Sequence, residues 1–172
     1  MKSIWIFLLK LLQMSVLKSN DAFLDYLCQF IDVNEQYMED LIVKARENFK
    51  VLLLKKNEFF VKENKVCQHF CFVESGILQH SIEILNEEKT TYLALRNSVT
   101  SSLSSFLFGK PSRKSIKAIA DCKLWIVDLK TFKDLIENNK AFHQFYYNVI
   151  EKQICLIDDY RIDLLTLTPE ER

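Results

Sequence analysis

Hydrophobic residues recur along this chain with two different periods, which divide it into helical and extended parts. Near the N-terminus they recur every three or four residues, the period of an amphipathic helix. One predicted helix is capped within residues 19–21 and a second begins at Asn34. Their apolar faces carry Phe23, Leu24, Leu27, Phe30 and Ile31 in the first helix, and Met38, Leu41, Ile42 and Ala45 in the second.

The middle of the chain alternates between apolar and polar residues, which is typical of strands with one buried face. This alternation predicts seven short strands, over residues 49–54, 58–61, 68–74, 77–85, 90–95, 114–120 and 123–128. Short strands with regular turn signals indicate a closed or two-sheet antiparallel barrel with flanking helices. Glycine occurs only twice, at Gly76 and Gly109, so we expect asparagines to fill several turn positions that need a positive φ.

Helical periodicity returns after Asp128, which is expected to cap a short helix over residues 129–137. A long helix is predicted from Lys140 onward, and it carries two apolar rows. The first row follows the alternating steps of four and three that form a coiled-coil seam: Tyr146, Ile150, Gln153, Ile157, Tyr160, Leu164 and Leu167. The second row would face the barrel and consists of Phe142, Phe145, Val149 and Leu156.

Two apolar rows on one helix imply two partners, namely the helix's own domain and a second copy of the chain. The alternative is that both rows pack within one monomer. The polar Gln153 in the seam favours a parallel homodimer, because an amide there can pair with its symmetry mate.

The length of 172 residues suits one domain with an appended helix, and a hydrophobic fraction of 49% supports a real core. The 23 basic and 23 acidic residues cancel, so overall charge does not draw the chain to nucleic acid or to an anionic membrane. Residues 1–17 are strongly apolar but too short to span a bilayer. We expect residues 1–20 to be an apolar N-terminal extension, either an extra helix or a segment before a true start at Met14; a signal peptide is the alternative.

Five scattered cysteines without a CxxC pair indicate reduced thiols and a cytoplasmic protein. Cys67, His69 and Cys71 alternate along one predicted strand and could face a zinc ion together, but a structural site normally takes four ligands. Buried free thiols are therefore the preferred interpretation, with no metal and no cofactor. Since the sequence lacks the common catalytic motifs, it also predicts a protein that is not an enzyme.

A serine-rich stretch, NSVTSSLSSFLFGKPSRKSIK, begins at Asn97 and interrupts the predicted strands. Short hydroxyl side chains suit the start of a helix, where they can satisfy its unpaired N–H groups. Arg113, Lys114 and Lys117 follow, so exposed backbone donors and cations lie close together in sequence, as in an anion cradle. The plainer alternative is a polar crossover of the barrel with its cations in solvent.

From about residue 21 onward the chain resembles the cyclic nucleotide-binding domain of Crp/Fnr transcription regulators. The resemblance is carried by four runs that occur in the same order, at residues 67–76, 100–106, 111–116 and 164–172. The resemblance implies a jelly roll (double-stranded β-helix) over residues 21–139, followed by a dimerisation helix over residues 140–167 that borders the ligand pocket. It further implies that Ser101, Ser102 and Leu103 stand where cyclic-nucleotide binders have Gly-Glu-Leu. The phosphate-binding arginine falls on Ser112, and Arg113 comes one residue later. The candidate phosphate cassette is Ser101, Ser102, Leu103, Ser112, Arg113 and Ser115.

The missing carboxylate and the displaced arginine predict that cyclic AMP binds weakly or not at all, which leaves another small anionic effector as a possible partner. Thr168 with Pro169 and Glu171 forms a capping box, and by the resemblance residues 168–172 open a helix-turn-helix domain. DNA is a predicted partner only if that domain continues beyond Arg172. The alternatives are a stand-alone binding domain for a cyclic nucleotide or other small anion, and a cupin-like enzyme. A cupin would need converging histidines, whereas His69, His80 and His143 are dispersed and each is expected at a strand or helix surface.

Overall fold

A computed structural model of the chain describes residues 22–29, 35–166 and 168, apart from the side chains of residues 28, 35–39 and 164. Within these described residues, two helices come first, then eight strands with one short helix among them, and finally two more helices. The helices are α1 (Ala22–Cys28), α2 (Glu35–Asn48), α3 (Leu103–Phe108), α4 (Leu129–Asn138) and α5 (Lys140–Thr166). The strands are β1 (Lys50–Leu54), β2 (Phe59–Val61), β3 (His69–Ser75), β4 (Leu78–Ile84), β5 (Glu87–Ala94), β6 (Ser98–Thr100), β7 (Ser115–Ala118) and β8 (Cys122–Asp128).

The strands form two antiparallel four-stranded sheets, with the orders β1-β8-β3-β6 and β2-β7-β4-β5. Strands distant in sequence lie side by side, as where β3 pairs with both β6 and β8. This confirms the predicted mainly β jelly roll with flanking helices and a long C-terminal helix. It also explains the alternation in the sequence, because each sheet has one face towards a shared core.

The β4–β5 hairpin and β6 differ from the prediction. Leu85 was predicted to end a strand, but it forms the two-residue turn with Asn86, and both have positive φ values of 54° and 64°. A two-residue hairpin requires this geometry, and Ile84 pairs directly with Glu87. The next strand therefore begins at Glu87 instead of residue 90, and its charged start lies on an exposed sheet edge. The predictions also missed β6, a three-residue strand that begins inside the serine-rich stretch.

Asparagine does fill the turns, as predicted. Four asparagines adopt positive φ values of 74°, 64°, 64° and 61°: Asn57, Asn64, Asn86 and Asn97. Gly76 is a different case, since a Cβ there would lie 2.5 Å from the backbone oxygen of Asp121 and 2.5 Å from Cys122 Sγ. Its φ of 90° and this close approach together require glycine between β3 and β4.

An aromatic core joins the first sheet to the helices. The Phe72 ring on β3 lies 5.3 Å from that of Phe23 on α1, and Phe23 in turn lies 4.8 Å from Phe49. Phe142 on α5 reaches the same cluster, with its ring centroid 6.0 Å from Phe49. Asp128 caps α4 as predicted, because its carboxylate accepts a hydrogen bond from the Thr131 backbone N–H at 3.0 Å.

The long helix α5 has two halves with different surroundings. Phe142, Phe145 and Val149 are buried against the domain, which confirms most of the predicted barrel-facing row. Leu156 was placed in that row wrongly, since half of its surface is exposed. Every described side chain from residue 151 to 166 is exposed, because the helix runs past the edge of the domain after its third turn. In the described part of the chain, no helix is long and apolar enough to cross a membrane.

The remaining predictions concern residues without a description. The N-terminal extension over residues 1–20, the proposed caps at residues 19–21 and Asn34, and all but Thr168 of the capping box lie outside the described residues. The same holds for Leu167 and for the side chain of Leu164 in the predicted seam.

Candidate functional site

The serine-rich stretch crosses from one sheet to the other through a short helix. After β6 the chain passes through Ser101 and Ser102, and α3 begins after Ser102. The helix ends at Gly109, whose left-handed φ of 65° lets its N–H donate to the Ser105 carbonyl oxygen. A helix at this position was predicted because hydroxyl side chains can cap a helix start. Ser102 does stand at the N-cap, but its hydroxyl makes no cap hydrogen bond and contacts Ser112 instead.

The buried serine hydroxyls fasten this crossover to the barrel. Ser101 Oγ donates to the His69 carbonyl oxygen at 2.9 Å, and Ser105 Oγ donates to that of Lys110 at 2.5 Å. Ser112 Oγ donates to the Lys114 carbonyl oxygen at 2.6 Å. Since a hydroxyl has only one proton to donate, Ser102 must be the donor of the 2.8 Å contact with Ser112 Oγ. All four hydroxyl protons are therefore used within the protein.

The other members of the predicted cassette lie apart from this buried group. Leu103 is the first residue of α3 and is 40% exposed, and Arg113 is also exposed. Ser115 Oγ accepts a hydrogen bond from the Glu63 backbone N–H at 3.0 Å. The structure thus brings Ser101, Ser102 and Ser112 together beneath the crossover and separates them from Arg113. An anion-binding role for this set stays a prediction.

The chain bends at Arg113 and Lys114 before β7 begins at Ser115. Ser112 is buried before this bend and Ile116 is buried after it, whereas Arg113 is exposed. Ser112 Oγ donates to the carbonyl oxygen of Lys114 and accepts from its backbone N–H, which holds the bend. The side chain of Lys114 is half-buried.

His80 on β4 lies in the barrel interior, with only 2% of its surface exposed. The prediction of a surface histidine was wrong, because His80 shares the inward face of β4 with Leu78, and the period of two could have shown this. Its Nε2 lies 2.8 Å from Thr100 Oγ1, and its ring meets that of Tyr92 edge-on at 5.2 Å. Its Nδ1 is buried without a hydrogen-bond partner among the described atoms. A buried polar atom left unpaired normally costs about 1–3 kcal/mol.

Burial lowers the pKa of both His80 and Lys114. Burial, reinforced by the positive charge of Lys114, lowers the pKa of His80 to about 3. Burial also lowers the pKa of Lys114, which the nearby thiol of Cys67 partly counteracts. His80 is therefore neutral at physiological pH, and Lys114 supplies the interior cation.

The thiols and histidines of the described residues form no metal site. No group of three or more histidine, cysteine, aspartate or glutamate side chains in residues 22–29 and 35–166 is placed to hold a metal ion. Cys67 and Cys71 are buried free thiols, as preferred over a zinc site in the sequence analysis. The Cys67 thiol contacts the His69 carbonyl oxygen at 3.3 Å, and the Cys71 thiol contacts that of Thr100 at 3.4 Å.

One protein family, the cyclic nucleotide-binding domain, matches residues 51–139, just over half of the chain. The chain belongs to the cyclic nucleotide-binding domain family. The match begins in β1 and ends directly after α4, so it contains the whole barrel and the serine-rich crossover. The curated proteins contain no significant match to this sequence.

Solved structures similar to this domain have the same fold. A cyclic nucleotide-binding domain from Methylobacillus flagellatus has a TM-score of 0.68 at 12% identity, covering 86% of this chain and 83% of that one. The catabolite activator protein of Thermus thermophilus has a TM-score of 0.61 at 18% identity over 74% of this chain. The sensor domain of the transcriptional regulator DNR from Pseudomonas aeruginosa has a TM-score of 0.57 at 12% identity, over 83% of this chain and 90% of that one. This chain spans 59% of the Thermus protein. Identities this low establish the fold alone.

The buried His80 of this cyclic nucleotide-binding domain gives a prediction for acid stability. The unfolded chain takes up a proton near the ordinary histidine pKa of about 6.5, whereas folded His80 stays neutral down to about 3. Protons therefore favour the unfolded state, and stability falls as pH is lowered through this window. Between about pH 7 and about pH 5 the free energy of unfolding should drop by about 2 kcal/mol from His80 alone.

Urea unfolding of the wild type and of His80→Gln at both pH values measures this contribution. Glutamine can keep the hydrogen bond to Thr100 but does not titrate, so the variant should lose about 2 kcal/mol less between the two pH values. Contributions from other groups, including His69, occur in both proteins and cancel. An equal pH dependence in the two proteins would contradict the neutral interior histidine.

Proposed function

We propose that this chain is the sensor and dimerisation module of a Crp/Fnr-type transcription regulator whose pocket has lost its affinity for cyclic AMP. The single observation that carries the proposal is the place of Ser112. The resemblance puts the phosphate-binding arginine there, and Ser112 is 1% exposed with its hydroxyl bonded to Ser102 and to the Lys114 carbonyl oxygen. Arg113, the next residue, is exposed.

The expected loss of affinity follows from the two missing contacts. A charge-assisted hydrogen bond to a phosphate contributes about 1.5–3 kcal/mol, and a missing carboxylate contact to the ribose at Ser102 adds to this. Together the two losses correspond to about two or three decades of affinity. A receptor with micromolar affinity for cyclic AMP would be weakened to roughly the millimolar range.

The second half of α5 supports the dimerisation part of the proposal. Ile157 and Tyr160 of the predicted seam are 55% and 57% exposed, although each is a large apolar side chain. Tyr146, at the start of the seam, packs its ring edge-on against Phe132 at 5.5 Å and so anchors the helix to its own domain. Of the other seam residues, Ile150 is half-buried at the edge of the domain and Gln153 is exposed.

Two observations favour a transcription regulator over a cupin-like enzyme: the solved structures with the same fold, and the lack of a histidine cluster among the described residues. Two of the similar structures are a catabolite activator protein and a sensor domain of a transcriptional regulator. A cupin-like enzyme needs a converging metal site, and the described residues supply none. We therefore propose a non-enzymatic, cytoplasmic homodimer that responds to a small anionic effector. DNA contact would require a helix-turn-helix domain in the same protein; the alternative is a stand-alone small-anion binding domain.

Isothermal titration calorimetry with cyclic AMP tests the proposed loss of affinity. We expect no saturable heat when the ligand is raised to about 1 mM, because neither the phosphate nor the ribose contact is available. A dissociation constant in the micromolar range would contradict the proposal. Cyclic GMP in the same titration serves to exclude a change of base preference.

A further inference from the structure

We propose that Lys114 and His80 form the anion-binding pair of this barrel, and that they take a small oxyanion on the inner face of the second sheet. The oxyanion is either a free inorganic ion or the carboxylate or phosphate group of a larger effector. This inference rests on the proposed function, because it names the ligand chemistry of the same sensor domain. It differs from the sequence-based cassette, in which Arg113 and the serines would hold the anion.

The sheet register brings Lys114 near His80. His80 on β4 pairs with Ile116 on β7, and Lys114 lies two residues before Ile116, in the bend that leads into the strand. The half-buried ammonium of Lys114 lies within electrostatic range of the His80 ring. An oxyanion between the two side chains would contact both.

Each member of the pair has a polar atom without a partner. His80 Nδ1 makes no hydrogen bond, although only 2% of the surface of this histidine is exposed to solvent. The Lys114 ammonium makes no hydrogen bond or ion pair with any residue that the structure describes. Most buried polar groups in proteins are paired, so the unpaired Nδ1 calls for a partner, and the half-buried ammonium nearby would attract an anionic one. An oxyanion would satisfy both groups together.

Proton accounting supports an anion at this position. Thr100 can donate its hydroxyl proton to His80 Nε2, which leaves the ring proton on the unpaired Nδ1. The pair then offers one N–H and one ammonium, both of which are donors. The serine hydroxyls cannot substitute for them, because their protons are committed to Lys110, His69, Lys114 and Ser112.

Arg113 and Lys117 face away from this position. Arg113 is exposed, and the Lys117 ammonium lies 3.2 Å from Glu88 on the outer face of the sheet and 5.9 Å from the Phe59 ring. Lys117 is therefore a matched control for Lys114, since it is the same residue type on the same segment with the opposite orientation. Arg113 is the competing cation, because the sequence-based cassette assigns the anion to it.

Histidine-selective ¹⁵N NMR of the whole chain tests this inference at about pH 7, with phosphate, acetate and cyclic AMP titrated separately to about 20 mM at constant ionic strength. We expect phosphate or acetate to shift the His80 ring nitrogens in a saturable way and to fix its proton on Nδ1. Lys114→Met should weaken this binding by at least about 10-fold, whereas Lys117→Met and Arg113→Met should change it by less than about 2-fold. Amide spectra of each variant show that it is folded.

Each outcome has a distinct meaning for the two proposals. Saturable shifts with phosphate alone favour a free inorganic anion or phosphate group, and shifts with acetate favour a carboxylate; both support the anion pair. If cyclic AMP binds at micromolar concentration and Lys114→Met abolishes it, the proposed loss of cyclic AMP affinity fails but the anion pair stands. The anion pair is overturned if none of the three probes shifts His80, or if Arg113→Met weakens binding and Lys114→Met does not.

Discussion

Replacing Ile157 by glutamate is expected to separate the two copies of the proposed homodimer. Ile157 is 55% exposed on the half of α5 that leaves its own domain, in the predicted seam between Gln153 and Tyr160. In a parallel dimer the two copies of residue 157 would face each other, so the variant places two carboxylates together in an apolar interface. Burying such unpaired charges costs several kcal/mol, which should raise the dimer dissociation constant by at least about 100-fold.

Ile162→Glu is the matched control for this substitution. Ile162 is 54% exposed, on the same helix and of the same residue type, but it falls outside the steps of four and three that define the seam. Sedimentation velocity at micromolar concentration should give a dimer for the wild type and for Ile162→Glu, and a monomer for Ile157→Glu. A monomeric wild type, or equal effects of the two substitutions, would contradict dimerisation through this seam.

Local rules were sufficient to predict most of the fold. The asparagine turns were predictable because only a few residue types tolerate a positive φ, and Asn57 and Asn64 stand between alternating segments. The cap at Asp128 and the length of α5 follow equally from local sequence. The short β6 was not predictable in this way, because its three residues gain their strand conformation by pairing with Cys71, Phe72 and Val73 on β3.

The charged start of β5 shows a second limit of sequence patterns. Glu87, Glu88 and Lys89 have no alternation, since they lie on a sheet edge with both faces in solvent. Their strand conformation follows from the two-residue turn at Leu85 and Asn86, which brings Glu87 opposite Ile84. A leucine at positive φ with 93% exposure is not a pattern that hydrophobicity can reveal.

The candidate site depended on contacts between segments distant in sequence. The inward face of His80 can be inferred from the period of two, but its proximity to Lys114 depends on the register between β4 and β7 and on the bend before β7. The contact between Ser102 and Ser112 likewise requires the crossover to fold over the entry to β7. The resemblance aligned both serines with functional positions, while only the structure shows that they bond to each other.

Restoring the two missing groups should raise the affinity for cyclic AMP by about two decades or more. The double variant Ser102→Glu/Ser112→Arg places a carboxylate where the resemblance expects the ribose acceptor and a guanidinium where it expects the phosphate partner. Because the Oγ atoms of the two serines lie 2.8 Å apart, the new side chains can pair with each other before the ligand binds. Changing both positions together therefore avoids leaving an unpaired charge in the interior.

Ser102→Glu alone is the control, since it adds the ribose acceptor without the phosphate contact and should gain about one decade or less. Thermal unfolding establishes that both variants retain the fold, so that an absent gain cannot be attributed to misfolding.

Isothermal titration calorimetry of the folded double variant against the wild type is the most direct test of the proposed loss of cyclic AMP affinity. We predict a dissociation constant at least about 100-fold lower for the double variant than for the wild type. Equal affinities in the two folded proteins would contradict the proposal that the serines at positions 102 and 112 set the specificity of the pocket.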